Sequence, residues 1–190
     1  MASDFKIFGF QMDLARQIER PAVVLDGVRD MHRYGYNVCQ LYLEDAYAYP
    51  RHPAIGRRHA YDPGFMRQVY DLCKAQEMEL IPVIPSLGHC SYITAKPGYE
   101  HLDEGRGTER IHGSISPVWP ETYELLRELY EDWCRHIPGA YLHVGLDESA
   151  SMGQALVNRD GPEALDSTAM FVEHCNRLNA ICRELDRRMV

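Results

Sequence analysis

The sequence lacks the features that place a protein in a membrane or outside the cell. No apolar run is long enough to cross a bilayer, and the first residues lack the basic region and apolar core of a signal peptide. No C-x-x-C pair occurs among its six cysteines, at positions 39, 73, 90, 134, 175 and 182. We therefore predict reduced, mostly buried cysteines, a cytoplasmic location and no membrane partner.

Positive charge is also scarce. The chain has 20 Lys and Arg against 28 Asp and Glu, a formal net charge of −8. Nucleic acids and anionic membranes reward clustered basic residues, so we expect neither as a partner. With 190 residues, 45% hydrophobic and 25% charged, the chain is long enough for one buried core. No linker or internal repeat divides it, so a second domain is not predicted.

What the sequence does contain is a regular alternation of strand and helix patterns. Apolar runs predict strands at residues 6–13, 37–43, 79–85 and 140–149. Helical spacing of apolar residues predicts helices at 21–34, from Pro63, from Pro120 to His136 and from Leu165 to Arg188. Asp62 before Pro63 is typical of a helix start. Residues 90–119 form a long, glycine-containing connection, and 153–161 are predicted as another loop.

This alternation predicts an α/β fold with right-handed βαβ units and a parallel sheet. Four units are half of a TIM (β/α)8 barrel, for which about 250 residues is typical. A sheet of four strands would leave two unpaired edges, and an apolar fifth strand would begin near Met189. We therefore predict that residues 1–190 are the N-terminal half of a catalytic barrel.

Ionisable residues follow the carboxyl end of every predicted strand. They are Asp13, Glu44 with Asp45, His89, and Asp147 with Glu148. Barrel enzymes place their chemistry where these ends converge. Adjacent carboxylates in a partly dry cleft repel each other, so one of them tends to keep its proton. We expect Glu148 to donate a proton, Asp147 to stay ionised, and Asp45, His89 and Glu148 to share a chain of hydrogen bonds.

Four of these segments carry a family resemblance. Residues 143–148, His-Val-Gly-Leu-Asp-Glu, resemble the His-x-Gly-Gly-Asp-Glu signature of family 20 glycoside hydrolases, the β-N-acetylhexosaminidases. Residues 9–16 resemble the family's Gly-x-x-Leu-Asp-x-x-Arg, and residues 85–89 its Pro-x-x-Gly-His. Asn37 followed eight residues later by Asp45 matches the second-strand pattern. Residues 43–50, with 59–61 after them, look more like the hexosaminidase D branch than the lysosomal enzymes.

The resemblance implies a retaining hydrolase that removes terminal N-acetylglucosamine or N-acetylgalactosamine from a glycan or glycoconjugate, without cofactor or metal. In such a substrate-assisted reaction, Glu148 would protonate the glycosidic oxygen and then activate water. Asp147 would hold the N–H of the 2-acetamido group as its carbonyl oxygen attacks the anomeric carbon. Asp45 and His89 would form a relay behind Glu148. Asp13 would support the sugar pocket or brace the barrel mouth.

Other residues are weaker candidates for sugar contact: Glu44, His143, Tyr47, Tyr49 and Trp119. The sequence also departs from the family pattern. Phe8 stands where we align the arginine that grips the sugar, Tyr42 replaces a histidine, and Leu146 replaces a glycine. Arg16 is kept and is interpreted as structural.

Two other classes of function stay open. The first is a metal-dependent barrel hydrolase or isomerase with four candidate ligands, His89, His143, Asp147 and Glu148. The sequence supplies neither the His-x-His nor the Glu-x-x-His spacing that would favour it. The second is a sugar-binding or degenerate domain that has lost turnover. Preference between the two amino sugars and assembly into a homo-oligomer are also left open.

Overall fold

The computed structural model describes residues 6–107, 113–149, 151–161 and 166–190. The strands are β1 (Gly9–Asp13), β2 (Val38–Tyr42), β3 (Glu79–Val83), β4 (Tyr141–Leu142) and β5 (Arg188–Met189). The helices are α1 (Pro21–Arg33), α2 (Pro63–Ala75), α3 (Ser91–Thr94), α4 (Pro120–His136), α5 (Gln154–Asp160) and α6 (Ser167–Glu184). Two short 3-10 turns cover Glu44–Ala46 and Glu100–Leu102. The α/β class predicted from the sequence is confirmed.

All described strand pairs are parallel, and the strands lie side by side in chain order. β1 pairs with β2, β2 with β3, and β4 with β5. An isolated parallel bridge between Val83 and His143 connects β3 to β4. Asp13, Tyr42, Val83 and His143 therefore lie in one row across the sheet. The residues of the candidate site follow this row, at the carboxyl ends of the strands.

Helix α2 shows how local sequence fixes an element. The Asp62 side chain accepts a hydrogen bond of 2.7 Å from the Phe65 backbone N–H, and Pro63 occupies the first turn, where no N–H is needed. Its buried face is Met66, Val69 and Cys73. Phe65 and Leu72 lie at the margins of this face and are only partly buried.

Some of the largest fully buried side chains lie in and under the segment that follows β2. Tyr47 packs edge-on against Tyr49 and Trp133, with ring centroids 5.0 and 5.2 Å apart. Asp132 of α4 is buried and accepts hydrogen bonds from the backbone N–H of Arg51, at 2.9 Å, and from its Nε, at 2.7 Å. These contacts tie the chain after Glu44 and Asp45 to α4.

Three predicted boundaries differ from the structure. Residues 153–161, predicted as a loop, contain helix α5. The strand predicted at 140–149 pairs as β4 only at Tyr141–Leu142, because Gly145, at φ +48°, turns the chain against Pro85. The last helix was predicted to reach Arg188, but α6 ends at Glu184, and Arg188 and Met189 form β5 instead. Its predicted start, residue 165, lies outside the described residues.

The six cysteines are unpaired, and four of them are buried: Cys39, Cys73, Cys90 and Cys182. In the described ranges no helix combines the length and apolar character needed to cross a membrane. Met189 lies in β5, beside β4, where the sequence predicted a further strand to begin.

Candidate active site

Three turns that follow β2, β3 and β4 form the candidate site. His89, at the end of the turn after β3, is the residue that joins them. Its Nε2 lies 3.1 Å from Oε2 of Glu148 and 3.4 Å from Oδ2 of Asp147. The structure therefore brings together the imidazole and the two adjacent carboxylates that the sequence pointed to.

The backbone is strained at one ionisable residue in each of these turns. Glu44, His89 and Glu148 have φ values of +44°, +53° and +53°. A residue with a Cβ pays about 1–2 kcal/mol in this left-handed region, and such strain collects at functional sites. Each turn must therefore be held by its surroundings.

Gly88, in the turn after β3, lies very close to the backbone of the turn after β4. A Cβ added at Gly88 would lie 2.0 Å from the Asp147 carbonyl oxygen and 2.8 Å from the Glu148 carbonyl carbon. Since both neighbours are backbone atoms, neither can rotate away. The turn carrying His89 thus lies directly on the backbone of Asp147 and Glu148, and this contact fixes the imidazole relative to both carboxylates.

We expect Gly88→Ala to separate the two turns. The added methyl group must displace the neighbouring backbone by about 1 Å, since Cβ contacts under 3.0 Å essentially never occur. A misplacement of this size can cost about 100-fold in rate. The predicted result is a loss of at least about tenfold in kcat/KM, measured on the glycoside substrates described below.

Gly35→Ala is the matched control for that substitution. Gly35 has φ +84° after α1, and a Cβ there would meet nothing within 4 Å. Its substitution should lower the free energy of unfolding by about 1 kcal/mol and leave kcat/KM unchanged. Equal kinetics for Gly88→Ala and the unsubstituted protein would mean that the backbone contact does not set the site.

Arg16 lies on the other side of His89. Its Nη1 donates a 2.7 Å hydrogen bond to Oε1 of Glu44, and its Nη2 lies 3.5 Å from Nδ1 of His89. The guanidinium also stacks over the Tyr42 ring, 5.6 Å from its centroid. A guanidinium can only donate, so Nδ1 of His89 faces it as an acceptor, which leaves the proton on Nε2, toward the carboxylates.

The structural role assigned to Arg16 from the sequence stays a prediction, to which the structure adds this contact with His89. The signal that could have found it is the Asp13-x-x-Arg16 spacing at the end of β1. Asp13 accepts hydrogen bonds from the backbone N–H groups of Ala15, at 3.0 Å, and Arg16, at 3.1 Å. Asp13 thereby holds the turn that presents Arg16. The two roles predicted for it at the barrel mouth stay predictions.

Asp45 has different partners from those expected. Its Oδ1 accepts a 2.6 Å hydrogen bond from Nε of Arg57, and Nζ of Lys96 lies 3.8 Å from its Oδ2. The expected direct link from Asp45 to His89 is replaced by these two cations, which draw the carboxylate away, while Arg16 occupies the Nδ1 side of the imidazole. Asp45 thus forms ion pairs with Arg57 and Lys96, and its predicted part in a relay behind Glu148 stays a prediction.

The remaining sequence candidates are dispersed. His143 is half-buried and its Nδ1 accepts a 3.1 Å hydrogen bond from the Gly145 N–H; burial lowers the pKa of His143, against the charge of Asp147. Tyr47 cannot contact a sugar because its side chain is fully buried in the aromatic core, as is that of Tyr49. Trp119 is half-buried, beside a cavity of about 280 Å³ next to α5.

The two carboxylates are more exposed than the sequence led us to expect. The side chain of Asp147 is 59% exposed and that of Glu148 is 75% exposed. A cavity of about 680 Å³ lies at the opposite end of the strands, beside Gly139 and Arg187. The partly dry cleft that was expected is not built by the described residues, because the ends of five strands alone form an open surface.

Metal binding finds no support in the arrangement of the donors. Across residues 6–107, 113–149, 151–161 and 166–190, no group of three or more His, Cys, Asp or Glu side chains is placed to hold a metal ion. The four ligands of the metal-dependent alternative are therefore not gathered into such a site.

Several known proteins are similar to this chain in sequence. No family model matches the sequence. Hexosaminidase D of Bos taurus is 28% identical over 127 residues, which cover 66% of this chain and 36% of that protein. A beta-N-acetylhexosaminidase of Cellulomonas fimi is 25% identical over 164 residues, covering 76% of this chain and 33% of that one. The chain thus spans about a third of the length of these relatives.

Solved structures show the same fold over almost the whole chain. A chitobiase of Flavobacterium johnsoniae matches with a TM-score of 0.82 and 18% identity, over 98% of this chain and 31% of that one. A GH20 exo-beta-N-acetylglucosaminidase of Vibrio harveyi, in complex with N-acetylglucosamine, matches with a TM-score of 0.79 and 20% identity, over 98% and 35%. The resemblance to family 20 glycoside hydrolases, with hexosaminidase D among the relatives, is confirmed.

Proposed function

We propose that this chain, as a relative of the family 20 glycoside hydrolases, forms part of a retaining β-N-acetylhexosaminidase. Its substrates would be glycans or glycoconjugates that end in N-acetylglucosamine or N-acetylgalactosamine. One observation carries the proposal: Nε2 of His89 lies within 3.4 Å of carboxylate oxygens from both Asp147 and Glu148. These residues follow two neighbouring strands in the segments that carry the family resemblance.

We further propose that residues 1–190 are the N-terminal half of a TIM-type barrel. The parallel strands in chain order support this, since barrel walls are built in that way. The chitobiase match, which uses 98% of this chain but 31% of its neighbour, supports it as well. Further strands would close over the open surface at Asp147 and Glu148 and exclude water from it.

Glu148 would act as the general acid and then as the general base. Its Oε2 faces Nε2 of His89, so its other oxygen is free to protonate the glycosidic oxygen of the substrate. As the proton leaves, the new carboxylate gains a stronger hydrogen bond from the His89 N–H, which stabilises the product of the transfer more than the starting state. In the second step the same carboxylate takes a proton from the attacking water.

Asp147 would serve the nucleophile, which belongs to the substrate. The acetamido carbonyl oxygen attacks the anomeric carbon as the glycosidic bond breaks, giving a positively charged oxazolinium ring. Asp147 accepts a hydrogen bond from the acetamido N–H and offsets this charge. Water then opens the ring at the anomeric carbon, so configuration is retained over two inversions.

The substrate-assisted reaction makes a sharp prediction about selectivity. The full-length protein should cleave 4-nitrophenyl N-acetyl-glucosaminide and galactosaminide, but not 4-nitrophenyl glucoside. We expect a preference of at least about 1,000-fold, because the plain glucoside lacks the nucleophile held next to the anomeric carbon. The measurement is the initial rate of nitrophenolate release from each substrate.

Two outcomes would contradict the proposal in different ways. Comparable hydrolysis of the plain glucoside would rule out the acetamido group as nucleophile. Binding of N-acetylglucosamine without hydrolysis, unchanged by Glu148→Gln, would instead indicate a sugar-binding domain that has lost turnover.

A further inference from the structure

A buried histidine on α6 holds the turn that carries His89. His174 is fully buried, and its Nε2 lies 2.8 Å from the carbonyl oxygen of Ser86, which is 88 residues away in the sequence. Ser86 precedes His89 by three residues. The contact therefore connects the last described helix to the centre of the candidate active site.

The hydrogen-bond partners fix the state of His174. Because the Ser86 carbonyl only accepts, Nε2 of His174 carries the proton and donates it. In the neutral imidazole Nδ1 carries no proton and faces the hydroxyl of Tyr123, at 2.9 Å; the same hydroxyl lies 3.2 Å from the Pro117 carbonyl oxygen. Burial lowers the pKa of His174 to about 4; the bond to Ser86 opposes this shift, and the nearby Arg177 charge adds to it. Arg177 itself stacks on the Tyr123 ring, 3.6 Å from its centroid.

The turn from Pro85 to His89 has little freedom to absorb a change at Ser86. The Tyr92 hydroxyl donates to the Pro85 carbonyl at 3.1 Å, and the Ile115 N–H donates to the Leu87 carbonyl at 2.8 Å. Gly88 lies against the Asp147 backbone, as described above. Closely packed segments transmit small displacements, so a shift of Ser86 would move His89 relative to the carboxylates.

We propose that His174 is a positioning residue for His89, and that its hydrogen bond to the Ser86 carbonyl sets the distance between His89 and Glu148. This inference rests on the proposed function, in which the His89 N–H stabilises Glu148 after proton transfer. His174 touches neither substrate nor reacting atoms, so it acts through the turn alone.

The test compares His174→Phe with His174→Gln in the full-length protein. Phenylalanine fills the space but leaves the Ser86 carbonyl without its donor; glutamine supplies an N–H for Ser86 and an oxygen for Tyr123. For His174→Phe we expect kcat to fall roughly 10- to 100-fold with KM nearly unchanged, and the pH dependence of kcat to shift as the contact between His89 and Glu148 loosens. His174→Gln should restore both kcat and the pH profile.

A merely structural role for His174 would give a different result. It would reduce the amount of folded protein without changing kcat per folded molecule or the pH profile, and that outcome overturns the proposal. Should His174→Phe fail to fold, His174→Asn serves in its place, since its shorter amide cannot reach both partners. Wild-type kcat and pH profile in His174→Asn would equally overturn the proposal.

Hydrogen exchange gives a measurement that does not depend on turnover. The backbone amides of residues 86–90 should exchange faster in His174→Phe than in the unsubstituted protein, while those of β2 stay protected. If exchange is faster in His174→Phe but the unsubstituted protein hydrolyses no acetamido sugar, the result would support stabilisation of the turn by His174 and contradict the proposed function. Unchanged exchange together with normal hydrolysis would contradict the role of His174 and leave the function standing.

Discussion

Replacing Glu148 with glutamine is expected to lower kcat for 4-nitrophenyl N-acetylglucosaminide by roughly 10²- to 10⁴-fold, with KM changed only a few-fold. Glutamine keeps the shape of the side chain and can still accept a hydrogen bond from the His89 Nε2, which lies 3.1 Å from Oε2 of Glu148. It cannot give a proton to the leaving oxygen or take one from water. The loss should therefore fall on the chemical steps rather than on binding.

The leaving group provides a second measurement for the same variant. Nitrophenolate leaves readily without protonation, whereas the alcohol released from an N-acetylglucosamine disaccharide needs a proton. If Glu148 is the general acid, Glu148→Gln should therefore harm disaccharide hydrolysis more than hydrolysis of the nitrophenyl glycoside. Equal losses on both substrates would assign Glu148 to the later, water-activating step alone.

Glu77→Gln is a close control for this substitution. Glu77 is also an exposed glutamate with a left-handed backbone, at φ +56°, but it precedes β3 at the other end of the sheet. Glu77→Gln removes the same negative charge from a residue with the same backbone conformation, but far from the site. Activity should therefore stay at the wild-type level. Retention of more than about a tenth of kcat in Glu148→Gln would remove this residue from acid–base catalysis.

The parts of the fold that the sequence could predict are those governed by local signals. Apolar runs of seven or eight residues and prolines at helix starts indicated strands β1 to β3 and helices α1, α2 and α4, and the structure confirms them within a few residues. Each of these elements follows from periodicity and capping within one stretch of chain. Their alternation was sufficient to predict the parallel sheet.

Helix α5 shows what local signals cannot supply. Seven residues between Gly153 and Gly161 have little helical periodicity, and the sequence predicted a loop. In the structure the N–H of Ala155, in the first turn, donates a hydrogen bond of 3.3 Å to Oε1 of Glu104. Glu104 is only 1% exposed and lies 51 residues earlier in the chain. The stabilising partner comes from a distant loop, which no window of the sequence reveals.

In the candidate site, too, some residues could be predicted from local sequence signals and others depend on tertiary contacts. The positions of His89, Asp147 and Glu148 follow from strand ends, which the apolar pattern marks, and the structure brings them together. The partners of Asp45 do not follow from that pattern, because Arg57 and Lys96 belong to irregular loops whose paths depend on tertiary contacts. Tyr47 was misjudged for the same reason: its loop is folded under α4, where the ring is buried.

Replacing Asp147 with asparagine should cost nearly as much as replacing Glu148, although Asp147 transfers no proton. The proposed oxazolinium intermediate is positively charged, and asparagine removes the negative charge that faces it. We expect kcat/KM on the acetamido substrates to fall by about 10²- to 10³-fold, which corresponds to roughly 3–4 kcal/mol of transition-state stabilisation. The measurement is kcat/KM at a pH where the unsubstituted protein is fully active.

Asp71→Asn is the matched control, since Asp71 is 55% exposed and its Oδ1 lies 2.9 Å from Nε of Arg67, close to the exposure and contact distance of Asp147. It should leave kcat/KM unchanged.

The double variant Asp147→Asn with Glu148→Gln shows whether the two carboxylates act in one step or in two independent steps. If both carboxylates act on the same transition state, the double variant should be little slower than the slower single variant, because residues that act as a unit are not additive. Fully multiplied losses would mean that Asp147 and Glu148 work in separate steps, and a loss of less than about tenfold in Asp147→Asn would mean that no positive charge develops beside it.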